Sequence, residues 1–234
     1  MRSLRSLACL LVLVLAVASA GADTKIVQNI HTGSVMGQPA MDQTSTMWFA
    51  KDKLRTDSDT GSFIVRQDKK QLFFIDHSNK SYSEIELPLD FSKILPEEMA
   101  GMMEAMKFTA TVTPQEETRT IGEWKAHRYD VKMKNSMMEI NQTLWVTKDL
   151  DFDYKVARDM ASQLQSLQPG MTDMLEEFAK IDGFQIMMEG SMLIMGSTVE
   201  MSMKTISIET ADAPEGGYDA PEGYTLQPFN PMQR

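Results

Sequence analysis

Between Lys25 and Glu86, short segments rich in β-branched and aromatic residues alternate with compact turn signals, a spacing that suits an antiparallel sheet. The segments run from Lys25 to Thr32, Met41 to Ala50, Lys53 to Asp57, Ser62 to Gln67, Gln71 to Asp76 and Lys80 to Glu86. A loop with Gly33, Gly37 and Pro39 separates the first two. Ala50-Lys51-Asp52, Ser58 to Gly61, Asp68-Lys69-Lys70 and His77-Ser78-Asn79 supply the later turns. Strands recur at Lys107 to Thr113, Glu117 to Ile121, Trp124 to Lys134, Met138 to Thr147, Phe184 to Glu189 and Thr198 to Glu209. So many short strands at close intervals suit a sheet that curls on itself, and the expected class is α+β, mainly β.

Two stretches change period. Pro96 fits the first position of a helix, and Glu97 and Glu98 complement its dipole. Met99, Met102, Met103 and Met106 then share one helical face, which places a helical insertion near 94–107. A second insertion, near 153–181, has one stripe of Val156, Met160, Leu164 and Leu167. Pro169-Gly170 breaks it, and Met171, Met174, Leu175 and Phe178 form another. The expected organisation is a single domain over 21–212, followed by a tail over 213–234. That tail is rich in Pro and Gly, and either wraps the surface or stays partly loose.

The N-terminus reads as an export signal over 1–20. Arg2 and Arg5 precede an apolar run from Leu7 to Val17, and Ala18-Ser19-Ala20 offers small residues for cleavage before Gly21. Ala20-Gly21-Ala22 is a second possible site. The run is shorter than the roughly 20 apolar residues that span a bilayer. Cys9, the one cysteine, lies inside it, so the mature chain is expected to have no thiol and no disulfide. The chain carries 23 Lys and Arg against 33 Asp and Glu, a formal charge of −10, and the signal would take two arginines with it. Such a balance argues against nucleic acid and against docking on anionic headgroups. No later segment reads as a membrane span, and the expected location is the periplasm or the extracellular space.

Several segments together carry a resemblance. They are Trp48 to Arg55, Ile75 to Tyr82, Thr120-Ile121-Gly122 through Tyr129, and Leu144 to Leu150. These resemble an uncharacterised family of exported bacterial proteins related to the outer-membrane lipoprotein carriers. The resemblance implies a curved antiparallel sheet forming an incomplete barrel. Helices would pack on its concave side, with an apolar cavity between the two layers. In the carriers such a cavity holds acyl chains. The family has no established site residues to transfer, and the Asp153 to Ile181 insertion and the heavy methionine use have no counterpart in the carrier pattern.

Methionine is the compositional anomaly, with 21 in the chain. They gather in the helical segments and in the late cluster Met187, Met188, Met192, Met195, Met201 and Met203. Thioether side chains are unbranched and polarizable, so they adapt to ligands of variable shape, though they also simply fill cores. Soft sulfur ligands select Cu(I), but no histidine interleaves with these clusters. Asp57-Ser58-Asp59-Thr60-Gly61 starts like a calcium loop, yet its glycine comes at the fifth position and its twelfth residue is Asp68, so a hairpin turn explains it better. Asp149, Asp151 and Asp153 alternate ahead of a helix, where capping accounts for them. His31, His77 and His127 are scattered, and neither a His-Glu-x-x-His pair nor a Gly-x-Ser-x-Gly elbow is present. Asn141-Gln142-Thr143 is a glycosylation sequon only in a eukaryotic setting.

The expectation is therefore a non-enzymatic carrier-like protein for a lipid, acylated or other hydrophobic ligand, with no cofactor. Its cavity would be lined by Trp48, Phe74, Met99, Met102, Met103, Met106, Trp145, Phe184, Met187 and Met195. The alternatives are an envelope protein whose methionines fill its core and, third, a Cu(I)-binding protein.

Overall fold

The computed structural model describes residues 23–35, 37–87, 107–155, 158 and 172–229. The strands are β1 (Thr24–Thr32), β2 (Met41–Phe49), β3 (Lys53–Asp57), β4 (Gly61–Arg66), β5 (Gln71–Asp76) and β6 (Ser81–Glu86). Then follow β7 (Thr109–Ile121), β8 (Trp124–Lys134), β9 (Met138–Thr147), β10 (Phe184–Ile194), β11 (Ser197–Thr210) and β12 (Thr225–Leu226). Among the described residues, these twelve strands join one sheet in the order β12-β6-β5-β4-β3-β2-β1-β11-β10-β9-β8-β7. The sheet is curved and not closed. Every pairing is antiparallel except that of β12 with β6. Hairpins build each half, and the β1–β11 pairing joins the first and last long strands.

Two expected boundaries move. Lys107 to Thr113 and Glu117 to Ile121 are a single strand, β7, interrupted by an irregularity between Pro114 and Thr118. Bulges absorb extra residues without ending a strand. The segment after Glu189 also continues as strand to Ile194, so β10 and β11 meet in a two-residue turn of Met195 and Gly196. Both turn residues have positive φ, 49° and 81°, as a type I′ hairpin requires. Methionine bears a Cβ in that left-handed region, so Met195→Asn should raise stability by about 0.5–1 kcal/mol in urea unfolding. An unchanged midpoint would deny the strain.

Helix is scarce among the described residues. The one with resolved bounds is α1 (Thr172–Phe178), within the second expected insertion; the first, near 94–107, lies almost wholly outside the described residues. A two-turn helix is unstable alone, and α1 is held by its docking. Met174 is 2% exposed, and Phe178 packs with Val112, Val131, Leu144 and Val146 of β7, β8 and β9. Burying one such side chain contributes about 1.5–3 kcal/mol. Glu177 Oε2 accepts the backbone N–H of Val112 at 2.8 Å, so the helix satisfies a donor of edge strand β7. The rest of that edge carries Pro114, Glu116 and Glu117 and is largely exposed, features that discourage edge-to-edge pairing.

Candidate functional site

Side chains alternate across a strand, so the registers assign each residue to one of two faces. One row runs Gln43, Ile30, Met203, Met188, Leu144 and Tyr129 across six neighbouring strands, each in register with the next. A second runs Met41, Thr32, Met201, Gly190, Gln142, Val131 and Val112. Met192 lies between Val199 and Ile140, Ile140 faces Met133, Ile194 faces Met138, and Met47 faces Ile26. The strand methionines other than Met187 thus share one face. Most are half-buried.

On that methionine face the apolar character continues to both ends of the sheet. Leu54, Val65, Leu72 and Ile85 form a buried cluster toward β6, joined by Phe49, Phe63 and Phe74. The α1 cluster lies on the same face toward β7. In the middle sits an uncharged polar row of Ser45, Gln28 and Thr205, where Gln28 Nε2 donates to Thr205 Oγ1 at 3.2 Å. Among the paired strand residues of this face, charge is confined to Asp76 and Lys125 at strand ends.

Gly190 holds a place in the second row because a Cβ there would lie 2.3 Å from Asn141 O and 2.9 Å from Gln142 Cα. Gly190→Ala should therefore cost about 1–3 kcal/mol through displaced backbone, read as a lower thermal midpoint. An unchanged midpoint would mean that the strands yield.

The opposite face carries the charge. Arg55, Arg66, Arg119 and Arg128 all project there, with Lys25, Lys53, Lys204, Asp42, Asp57, Asp130 and Glu189. Part of this arginine face is covered by a C-terminal strap, residues 213–229. Tyr218, Ala220 and Tyr224 pack on buried Ile64, Phe73 and Ile75. Arg55 donates to Gly217 O, and Arg66 donates to Tyr218 O at 3.2 Å and to Asp219 at 2.7 Å. The Tyr218 hydroxyl donates to Asp23 Oδ2 at 2.7 Å, and burial with that carboxylate pushes the phenol well above its ordinary pKa.

A chain of hydrogen bonds ties Tyr224 down. Asp57 can only accept, so Ser62 Oγ donates to it at 2.5 Å, and His77 Nε2 donates to Ser62 at 2.8 Å. His77 Nδ1 is then the acceptor for the Tyr224 hydroxyl at 3.0 Å. Serine sits between the carboxylate and the imidazole here. In a nucleophilic triad the histidine occupies the middle, so this network anchors the strap and does not activate Ser62. Asp57 also takes a two-point bond from Arg55 Nε, and the Asp57 to Gly61 stretch is the β3–β4 hairpin, as its turn chemistry implied.

The expected cavity residues divide between the faces. Phe74 lies on the methionine face, while Trp48, Trp145, Phe184 and Met187 lie on the arginine face. Trp145, Phe184 and Met187 come together around Ile186. There the Arg119 guanidinium stacks 4.0 Å from the Trp145 ring centroid and donates to Met187 Sδ at 2.9 Å. The buried Trp145 indole nitrogen has no partner among the described residues. Met195 is 75% exposed at the hairpin tip. Met99, Met102, Met103 and Met106 lie outside the described residues. Sequence reasoning names Met188, Met192, Met201 and Met203 only as a cluster, without a face, and does not single out Met41, Met47, Met133 or Met138; period-2 spacing of Met201 with Met203 is the available signal.

A cavity of about 600 Å³ opens between β5, β6 and the strap, lined by Phe74, Ser81, Ser83, Gln227 and Phe229 among others. Two more open on the arginine face, of about 490 Å³ beside His31, Asp42 and Lys204 and of about 460 Å³ beside Trp124, Asp149 and Glu209. Among the described residues, no three His, Asp or Glu side chains are grouped to hold a metal, and no helix is long and apolar enough to cross a membrane.

Compared with curated proteins, the sequence has no significant match. Among solved structures the chain is similar to PNGF-II, at 10% identity and a TM-score of 0.42 over 90% of this chain. It spans 32% of the PNGF-II chain. It is also similar to a domain named for outer membrane lipoprotein sorting from Vibrio parahaemolyticus, at 8% identity and a TM-score of 0.29, covering 82% of this chain and 86% of that one. A DUF1329 family protein from Desulfovibrio piger gives 8% identity and a TM-score of 0.25, covering 86% and 91%. Residues 34–224 match the domain of unknown function DUF4412. With most of its length inside that match, the chain belongs to the DUF4412 family.

Proposed function

We propose that this protein is an exported, non-enzymatic carrier that holds a lipid, an acylated molecule or another hydrophobic ligand against its methionine face. The methionine face is then the concave side of the sheet, and the helical insertions cover it. One observation carries the reading: a face that runs from β6 to β7 with methionine across its middle and charge only at strand ends, opposite a face crowded with arginine and carboxylate. A sheet that only needed a core would not require flexible thioethers in adjacent rows. Thioethers conform to acyl chains of different length, and each buried methylene adds about 0.8 kcal/mol.

Native mass spectrometry on the mature protein, purified without detergent from the cells that export it, tests this. A bound mass in the range of a lipid or acyl species is expected. A clean apo mass that persists after incubation with a fatty acid would favour methionines that merely fill the core. The mature N-terminus read in the same spectrum would test the cleavage before Gly21.

A further inference from the structure

The strap does not end on the arginine face. After Tyr224 it turns around the free edge of the sheet: Thr225 N–H donates to Lys80 O at 3.0 Å and Gln227 N–H to Tyr82 O at 2.8 Å. It then reaches the methionine face, where Phe229 stacks on Phe74 with ring centroids 5.2 Å apart and planes within 19°. Phe74 in turn packs against Phe63 at 5.1 Å. The hold is unequal along its length. Tyr218 to Tyr224 are fixed by buried aromatic contacts, Arg66 and the Tyr224–His77 bond. Among the described residues, the end beyond Tyr224 is held by a two-residue parallel pairing and by Phe229, which stacks on Phe74 at the margin of the Leu54, Val65, Leu72 and Ile85 cluster, with a cavity of about 600 Å³ beside it.

We propose that residues 225–229 are a gate on the methionine face, hinged at Tyr224, with Phe229 filling the β5 end of the ligand groove until ligand displaces it. This rests on the carrier reading. The physical basis is competition: an acyl chain lying along Phe63 and Phe74 needs the surface that Phe229 covers. A binding-competent state that is only partly populated weakens apparent affinity by its fraction. Removing the Phe229 ring removes the competitor without touching the anchor on the other face.

The test uses cis-parinaric acid, a fluorescent eighteen-carbon fatty acid, with the mature protein and its Phe229→Ala variant. Amide hydrogen exchange is followed at Thr225 and Gln227. Loss of an aromatic stack predicts about tenfold tighter binding by the variant. In the unsubstituted protein, bound probe should speed exchange at both amides about tenfold, with Ala213 to Tyr218 unchanged. Binding by the variant alone would also support the gate. Equal affinities, or strap protection unaltered by bound probe, would overturn the gate and leave the carrier reading standing. If neither protein takes up the probe, both readings fall together.

Discussion

Arg66→Ala is expected to lower the unfolding free energy by about 2–4 kcal/mol, the largest loss from any single side chain of the strap anchor. The Arg66 side chain is 9% exposed. Its fork donates to both Asp68 oxygens, at 2.8 and 2.7 Å, while Nη1 reaches Asp219 and Tyr218 O. Asp68 and Asp219 are 27% and 52% exposed, so water replaces part of what they lose, which keeps the cost below that of a fully buried pair. The pH dependence gives a second readout. The hydrogen bond from Arg66 holds the Asp68 carboxyl below its ordinary value of 3.8, and a hydrogen bond from Lys69, with Arg66 nearby, does the same for Asp219. A depressed carboxylate pKa stabilises the fold above the unfolded value and loses that effect as pH falls through the folded one. The deficit of Arg66→Ala should therefore be constant from pH 7 to pH 5 and shrink only below about pH 4. Urea unfolding at a series of pH values measures it. Coincident midpoints at pH 7 would show that the strap is not anchored here.

How legible this was in the sequence differs by level. Strand positions were readable, and Gln71 to Asp76, Trp124 to Lys134 and Met138 to Thr147 match their strands end to end. Turn chemistry and β-branched runs are local, so they survive without tertiary information. Faces were not readable with the same certainty. A one-residue bulge, as at Ile186 in β10, reverses every later side chain, and nothing in Phe184 to Met188 announces it. For that reason Phe184, ahead of the bulge, shares a face with Met187 and not with Met188, while Trp145 falls with Arg119 because it alternates with Leu144 along β9. Met195 parts from its neighbours because the hairpin turn gives it a positive φ, which the spacing of methionines does not reveal. The strap was half visible. Tyr218, Tyr224 and Phe229 are large apolar residues in a Pro- and Gly-rich tail, which already argues for docking. Which strands they dock on is a long-range matter. Arg55 and Arg66 required carboxylate or carbonyl partners once placed in apolar strands, but Asp219 lies 153 residues from Arg66, beyond local inference.

The double substitution Met188→Gln/Met203→Gln should weaken uptake of a hydrophobic ligand by about 30-fold or more while leaving the protein folded. The two side chains are direct cross-strand partners at the centre of the methionine face and both are half-buried. Glutamine matches methionine in length and flexibility, so shape changes little. What changes is transfer cost: each amide taken from water against an acyl chain loses its hydrogen bonds, at about 1–3 kcal/mol by protein-based scales. Two such penalties, discounted for the water that reaches half-exposed groups, give about 2 kcal/mol, and 1.4 kcal/mol is tenfold in affinity. Met195→Gln provides the control, because Met195 sits at the exposed hairpin tip and its substitution adds no buried polar group. Titration of a fluorescent fatty acid into the three proteins distinguishes the readings. A loss confined to the double variant assigns binding to the methionine face. Equal loss with Met195→Gln would point to a general surface effect. Undiminished uptake in a folded double variant would move the ligand off this face altogether and leave the methionines as packing alone.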